Sequence, residues 1–192
     1  MKIGVLAAQG AFIEHLEVLQ RLDVEAVFVR LPQQLDGLDG LIIPGGESTT
    51  ISKLTLAYGL QGKIREMVEA GLPVFGTCAG MIMLAKNVVD PNGVQPLKLM
   101  DITVRRNAFG RQVDSFETDL KVKGLGEKPF HAVFIRAPLI ERVEPGVEVL
   151  SSLDDGAIVA AQQGKILVCS FHPELTEDTR FHRYFVELAA GN

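Results

Sequence analysis

The run Gly76-Thr77-Cys78-Ala79-Gly80 places a cysteine between two glycines, directly after the apolar stretch Pro73 to Phe75. This is the G-x-C-x-G form of a nucleophile elbow, in which a buried strand turns sharply into a helix. Glycines suit such a turn because backbone meets backbone there, and because the nucleophile itself takes a strained dihedral. The sulfur then sits above the carboxyl end of the strand, where a helix N-terminus favours the thiolate and offers amide N–H groups to an oxyanion. On this motif alone, a small buried residue in a glycine-rich connection is the competing reading of Cys78. The second cysteine, Cys169, lies inside the apolar run Ile166 to Phe171 with no glycine turn, and core packing is expected for it.

A cysteine nucleophile needs a base, and the chain offers His15, His131, His172 and His182. His15 and His182 fall in helical patterns beside charged residues, so solvated surface is expected for both. His131 begins an apolar strand and is ambiguous. His172 directly follows the strand Ile166 to Phe171, and Pro173 then stops that strand, so the imidazole emerges at the carboxyl edge where ligands bind in doubly wound sheets. In an extended His-Pro-Glu segment, His172 and Glu174 project to the same side, which suits Glu174 to orient the base. A cap on the terminal helix is the other reading of Glu174.

Pro44-Gly45-Gly46-Glu47-Ser48-Thr49-Thr50 follows another apolar run and opens a helix, so its glycines present free N–H groups to an anion. A phosphate loop is disfavoured, because no lysine follows at G-x-x-x-x-G-K-[ST] spacing and Glu47 repels phosphate. An oxyanion donor beside an amine-bearing substrate fits these residues better. No His or Cys cluster has metal-ligand spacing, so neither a metal nor a cofactor is expected.

The elements that would position these groups alternate. Ile3 to Ala7, Leu41 to Ile43 and Pro73 to Gly76 read as strands, apolar throughout, and Val24 to Val29 as one that is mostly β-branched and apolar. Between them, Phe12, Leu16, Leu19 and Leu22 mark one helix, and Ser48 to Ala57 another with Ser48 or its neighbour as N-cap. Ile64, Met67 and Val68 mark a third, ended by Gly71, and helical spacing resumes over Gly80 to Lys86. This pattern predicts a mostly parallel twisted sheet covered by helices on both faces. Beyond Asp90-Pro91-Asn92-Gly93 the strand-like segments 102–104, 113–122, 132–135, 147–150, 158–162 and 166–171 predict antiparallel additions. A last helix over about 177–189 carries Phe181, Phe185 and Leu188 on one stripe.

At 192 residues, with 47% hydrophobic and 22% charged, the chain is expected to form one α/β domain over residues 1–192 with one sizeable core, and general disorder is excluded. Its 19 Lys and Arg against 24 Asp and Glu give a net charge of -5, so no basic field draws nucleic acid or an anionic membrane surface. Its apolar runs fall far short of the roughly 20 residues of a membrane-spanning helix. Met1 to Phe12 passes directly into helical periodicity and reads as strand and turn, not as a signal peptide. Two cysteines make no disulfide framework, and a reducing cytoplasm is the expected compartment.

Taken together, the Gly76–Gly80 elbow, the Pro44–Ser48 loop and Phe171-His172-Pro173-Glu174 resemble the class I, triad-type glutamine amidotransferase family. More narrowly, Leu6 to Gly10, Arg106 to Gln112, Phe134 to Pro138 and Ser170 to Asp178 are similar to the glutaminase subunits of pyridoxal 5'-phosphate synthases. The resemblance implies hydrolysis of L-glutamine to glutamate and ammonia, and delivery of the ammonia to a (β/α)8-barrel synthase subunit within a large hetero-oligomer. It further implies that Cys78 attacks the amide, His172 moves the proton and Glu174 orients His172. Gly46 and Ala79 would then supply the oxyanion hole. Glu47, Ser48, Arg106, Ile135 and Arg136 would hold the amino-acid end of glutamine. Gln9 and Gly10, at the end of the first strand, would sense the docked partner. The rival readings are a glutaminase subunit of another pathway, such as imidazole glycerol phosphate synthase, a stand-alone cysteine amide hydrolase, and a noncatalytic regulatory module.

Overall fold

The computed structural model describes residues 1–108 and 115–191. Its elements run β1 (Lys2–Leu6), α1 (Phe12–Arg21), β2 (Glu25–Val29), β3 (Gly40–Ile43), α2 (Ser48–Ala57), α3 (Leu60–Glu69), β4 (Val74–Thr77) and α4 (Ala79–Leu84). They continue as β5 (Ala85–Val89), β6 (Met100–Arg105), β7 (Ser115–Leu120), β8 (Phe130–Ile135), β9 (Leu139–Val143), β10 (Glu148–Ser152), β11 (Ile158–Gln163), β12 (Ile166–Cys169) and α5 (Arg180–Ala190). The main sheet has the order β2-β1-β3-β4-β12-β11-β9-β6-β5, with β10 paired to β11, while β7 and β8 form a separate two-stranded ribbon. The half from β2 to β12 is wholly parallel, and antiparallel pairings begin where β11 joins β12.

The parallel half is buried on both faces because its strands alternate between two apolar layers. Leu6, Leu41, Ile43, Val74 and Val168 pack toward α2, α3 and α4, with Ile51, Leu60, Ile64 and Met81 among their neighbours. Ile3, Val5, Ile42, Phe75 and Leu167 pack the opposite way, under Leu19 of α1 and Phe181 and Phe185 of α5. This fits the period-2 geometry of a strand and explains why the central strands β1, β3, β4 and β12 carry apolar side chains on both faces. Since β1, β3, β4 and β12 run in one direction, their carboxyl ends share an edge, and Gln9, Gly45, Cys78 and His172 all lie just beyond it.

Several boundaries differ from the sequence reading. Helical spacing over Gly80 to Lys86 is cut short, since α4 stops at Leu84 and Ala85 begins β5, which pairs with β6. Sheet pairing overrides local propensity there. The strands β5 and β9 were not read from the sequence, because their alternation is weak and charged residues interrupt it. The last helix begins at Arg180 and not at Glu177, and Leu188 is only half-buried beside the buried Phe181 and Phe185. Phe109 to Gln112, and the first residues of the predicted 113–122 strand, lie outside the described residues.

Two glycines give contrasting tests of this packing. A Cβ on Gly80 would lie 1.9 Å from the Ile43 carbonyl oxygen, a backbone atom that cannot step aside, whereas one on Gly62 of α3 would meet open space. Gly80→Ala is therefore expected to lower stability by roughly 1–3 kcal/mol, the range for overpacking a tight site. Gly62→Ala is expected to raise stability by about 0.5–1 kcal/mol. Urea-unfolding midpoints check both, and equal shifts would show that the elbow is not sterically closed.

Candidate active site

Cys78 joins β4 to α4 with φ 49° and ψ -103°, a conformation that L side chains rarely adopt. The glycines around it are required by contact. A Cβ on Gly76 would come within 2.7 Å of the Gly80 backbone, and Gly80 itself presses on β3. The Cys78 amide donates to the Cys169 carbonyl at 2.8 Å, which pins the elbow to β12. Cys78 is buried at 7% exposure, and its Sγ faces the Ile135 carbonyl at 4.0 Å. The N–H of Ala79, first in α4, has no intrahelical acceptor. Cys169 is wholly buried, and burial pushes its thiol well up, as expected for a packing residue.

His172 enters from β12 and is tied to β8 by its own amide, which donates to the Val133 carbonyl at 2.8 Å. The following Pro173–Leu175 form a 3₁₀ turn, so the His-Pro-Glu segment is not extended as the sequence suggested. The tight turn nevertheless brings Glu174 Oε1 to 2.7 Å from His172 Nδ1, leaving Nε2 for the sulfur side. Burial alone would lower the His172 pKa. The Cys78 and Glu174 partners outweigh it and push it up to about 10. Glu174 is 5% exposed, and although burial disfavours its charge, His15 and His172 hold its pKa below the usual carboxylate value.

His15 and His182 are a correction to the sequence reading, since both are fully buried and not solvated. His15 Nδ1 lies 2.8 Å from His182 Nε2, and His15 Nε2 lies 3.1 Å from Thr77 Oγ1 and 3.5 Å from Glu174 Oε2. The charged neighbours in sequence pointed outward, but His15 sits three and four residues before the buried Val18 and Leu19, and His182 three before Phe185. That spacing was the available signal. His131 resolves as an exposed residue of the β7–β8 ribbon, where Asp119 and Glu117 at 2.9 and 2.8 Å raise its pKa.

The Gly45–Gly46 loop closes over the site. A Cβ on Gly45 would stand 2.5 Å from His172 Cε1 and 3.3 Å from Cys78 Cβ, and one on Gly46 would stand 2.4 Å from Gln9 Oε1. Gly45 N–H donates to Thr77 Oγ1 at 3.0 Å, and the Gly45 carbonyl accepts from Ala11 N–H at 3.0 Å. Because the peptide is trans, Gly46 N–H points opposite to that carbonyl, away from the start of α1. Gly10 has φ 102°, and a Cβ there would come within 1.8 Å of the Gly45 oxygen, so only glycine fits. Gln9 Oε1 accepts the Glu47 amide at 2.7 Å, which makes Gln9 and Gly10 the outer wall of the loop.

The remaining predicted residues form a looser rim. Glu47 is the N-cap of α2, accepting from the amides of Thr49 and Thr50 at 3.1 and 2.7 Å and from both hydroxyls. Burial opposes its charge, but these bonds prevail and hold its pKa down to about 2. Arg106 reaches from the turn after β6, donating to the Pro91 carbonyl at 3.0 Å and standing 3.8 Å from Glu47 Oε1. Ser48 is buried beside Glu47, Ile135 ends β8 half-exposed, and Arg136 follows it with φ 43° and an exposed side chain. Among the described residues, no group of three His, Cys, Asp or Glu side chains is arranged to hold a metal ion, and no helix is long and apolar enough to cross a membrane.

The description of the SNO glutamine amidotransferase family matches residues 5–190. The chain is 62% identical over 190 residues to a pyridoxal 5'-phosphate synthase subunit PdxT of Dehalococcoides mccartyi (strain CBDB1), covering 98% of this chain and 97% of that one. It is 60% identical to the same subunit of Herpetosiphon aurantiacus, covering 98% and 100%. A crystal structure of a glutamine amidotransferase superposes with a TM-score of 0.93 at 56% identity over 98% of each chain. PurLQS from Thermotoga maritima, at 16% identity and a TM-score of 0.68 over 97% of each chain, shares the fold alone.

The buried pair His15 and His182 sets a pH dependence. Burial holds both below their ordinary value of 6.5, so they stay neutral when folded and take up protons when unfolded. Their stability contribution is present above pH 6.5 and lost as pH falls through the folded values. The raised His172 acts elsewhere, being fully stabilising below 6.5 and losing its effect as pH rises through about 10. Urea midpoints are therefore expected to fall between about pH 6.5 and 5, and His182→Phe to flatten that fall. An unchanged slope in the variant would refute the assignment.

Proposed function

The chain belongs to the SNO glutamine amidotransferase family, and on that premise we propose that it is the glutamine-hydrolysing subunit of a pyridoxal 5'-phosphate synthase. It releases ammonia for a separate synthase subunit. Two relatives at 60% identity or more, matched along nearly their whole length, carry that subunit name, which favours this pathway over other glutaminase-dependent syntheses. The observation that carries the chemistry is the convergence of a strained Cys78 with the His172–Glu174 pair beneath a glycine loop.

An amide is a weak electrophile with a poor leaving group, so a nucleophile, an oxyanion site and a general acid must meet at one carbon. In this reading the Cys78 thiolate attacks the side-chain carboxamide carbon of glutamine. The oxygen takes up the displaced electron pair and is held by the N–H groups of Gly46 and Ala79. Collapse of the adduct breaks the C–N bond as the His172 imidazolium gives its proton to the departing ammonia. Water then attacks the thioester with His172 as base, releasing glutamate and restoring the thiolate. Glu174 keeps the imidazole in the tautomer that faces sulfur. Glu47, Ser48, Arg106, Ile135 and Arg136 form the rim that receives the amino-acid end, with Arg106 and Arg136 suited to its carboxylate.

Ammonia made without an acceptor is lost to solvent, so coupling favours a site completed by the partner. The Gly45–Gly46 peptide is suited to that switching, since glycine lets its N–H turn at small steric cost, and Gln9 and Gly10 touch it from outside. The partner in this proposal is a (β/α)8-barrel subunit of a large hetero-oligomer, and the compartment is the cytoplasm.

A glutamine-analogue electrophile is expected to label Cys78 and leave Cys169 unmodified, as read by peptide mass spectrometry. In the presence of the synthase subunit, Cys78→Ala should abolish glutamate release. His172→Asn should reduce it by about 100-fold or more, and Glu174→Gln less severely. Full turnover by Cys78→Ala would sink the mechanism. Full turnover by the isolated parent chain would sink the gating while leaving the triad intact.

A further inference from the structure

We propose that His15 is a positioning residue for this reaction, holding through one ring nitrogen both the Glu174 carboxylate that orients His172 and the Thr77 hydroxyl that fixes the Gly45 amide. The inference rests on the Cys78–His172–Glu174 reading and extends it to a residue of α1 that touches neither sulfur nor substrate.

Glu174 presents two oxygens to a fully enclosed space. Oε1 is bonded to His172, whereas Oε2 is buried with no hydrogen-bond partner among the described residues. Facing Oε2 is His15 Nε2 at 3.5 Å, long for a hydrogen bond but close enough for a strong charge–dipole contact where water is excluded. A lone pair on Nε2 would be repelled by the carboxylate, so Nε2 carries the hydrogen. The same N–H points at Thr77 Oγ1, 3.1 Å away, and Nδ1 then accepts from His182 Nε2–H at 2.8 Å. His182 Nδ1, unpartnered and buried, is left as a bare lone pair, in keeping with a neutral ring.

Thr77 completes the connection. Its Oγ1 also accepts Gly45 N–H at 3.0 Å, and Gly45 is the residue packed directly against His172 and Cys78. One buried imidazole therefore sits where two arms of the site meet. The first runs through Glu174 to His172, and the second through Thr77 to the oxyanion loop. Aromatic packing holds the ring itself, with Phe75 edge-on at 6.3 Å between centroids and His182 at 5.1 Å, so it cannot swing away to solvate Glu174 differently. Loss of the Nε2–H would loosen both arms together, and since the described hydrogen bonds and ring contacts of His15 go to Thr77, His182 and Phe75, away from the rim, binding of glutamine would be little changed.

The test is steady-state glutamate release by the complex with its synthase subunit, using His15→Leu, His15→Gln, Thr77→Val and the Leu/Val double variant. His15→Leu is expected to lower kcat by about tenfold or more with little change in KM, the signature of a lost orienting contact and not of lost binding. The glutamine amide can place a donor near the position of ring Nε2, so His15→Gln should recover most of the loss, which a purely space-filling role would not predict. Thr77→Val keeps the shape of the strand residue and should also lower kcat. The double variant should lose less than the product of the two single losses, since both changes act on the shared His15–Thr77 arm. If His15→Leu does not fold, Thr77→Val and His15→Gln still decide. Parental kcat in Thr77→Val, a Gln variant as impaired as Leu, or losses that multiply in the double would each overturn the proposal. Normal turnover in the His15 variants beside an inactive Cys78→Ala removes this inference alone, whereas an active Cys78→Ala removes the triad reading on which it rests.

Discussion

A carboxylate removed from water is tolerated only when its charge is met by fixed partners, and the site is built around one such group, Glu174. His172 satisfies one oxygen and His15 faces the other, so the carboxylate fixes a line of groups running from the reactive edge of the sheet into its interior. The orientation of His172 depends on this line, because an isolated imidazole beside a thiol would be free to rotate. Its raised pKa depends on Cys78 and on Glu174 together, since burial alone would lower it. The two sides of the sheet are thereby joined chemically. His172 lies buried at the carboxyl edge beside Gly45, whereas His15 and His182 lie in the aromatic layer under α1 and α5.

Close backbone approach is the second constraint, and it is met by glycine at a few chosen positions. Gly80 against β3 lets the elbow sit low enough for the sulfur to face the loop after β3, and Gly10 against Gly45 lets the segment after β1 close that loop from outside. Four chain segments remote in sequence thus share one small volume at the carboxyl edge. A displacement of the Gln9–Gly10 segment would reach the oxyanion loop through direct contact, without any motion of the sheet. In the proposed function, this contact is the route by which a docked subunit acts on chemistry that it never touches.

Much of the fold was legible because a parallel sheet buried on both faces leaves a strong signature. The runs 3–7, 40–43 and 73–76, which carry β1, β3 and β4, are continuously apolar, and the helices between them repeat at 3.6 residues. The antiparallel extension was harder to read. β5 and β9 carry charged residues on an open face, and their pairing with β6 outweighs the helical spacing that continues past Leu84. The elbow was legible for a different reason, since glycines spaced about a cysteine record a steric requirement that no other residue meets.

The sequence by itself therefore determined the candidate trio Cys78, His172 and Glu174 of the proposed mechanism, the glycine loop and the layering of the parallel half. Each is written in local residue type and spacing. Only the tertiary structure decided the places of His15 and His182, since a histidine's role depends on what surrounds its ring and not on its neighbours in sequence. It also decided how Glu174 meets His172, through a 3₁₀ turn and not an extended segment, and that Glu47 caps α2 while facing Arg106. The physical reason is the same in each case. Burial and hydrogen-bond partnership arise between segments far apart in the chain, and no local pattern of residues encodes which distant atom will fill an empty bond.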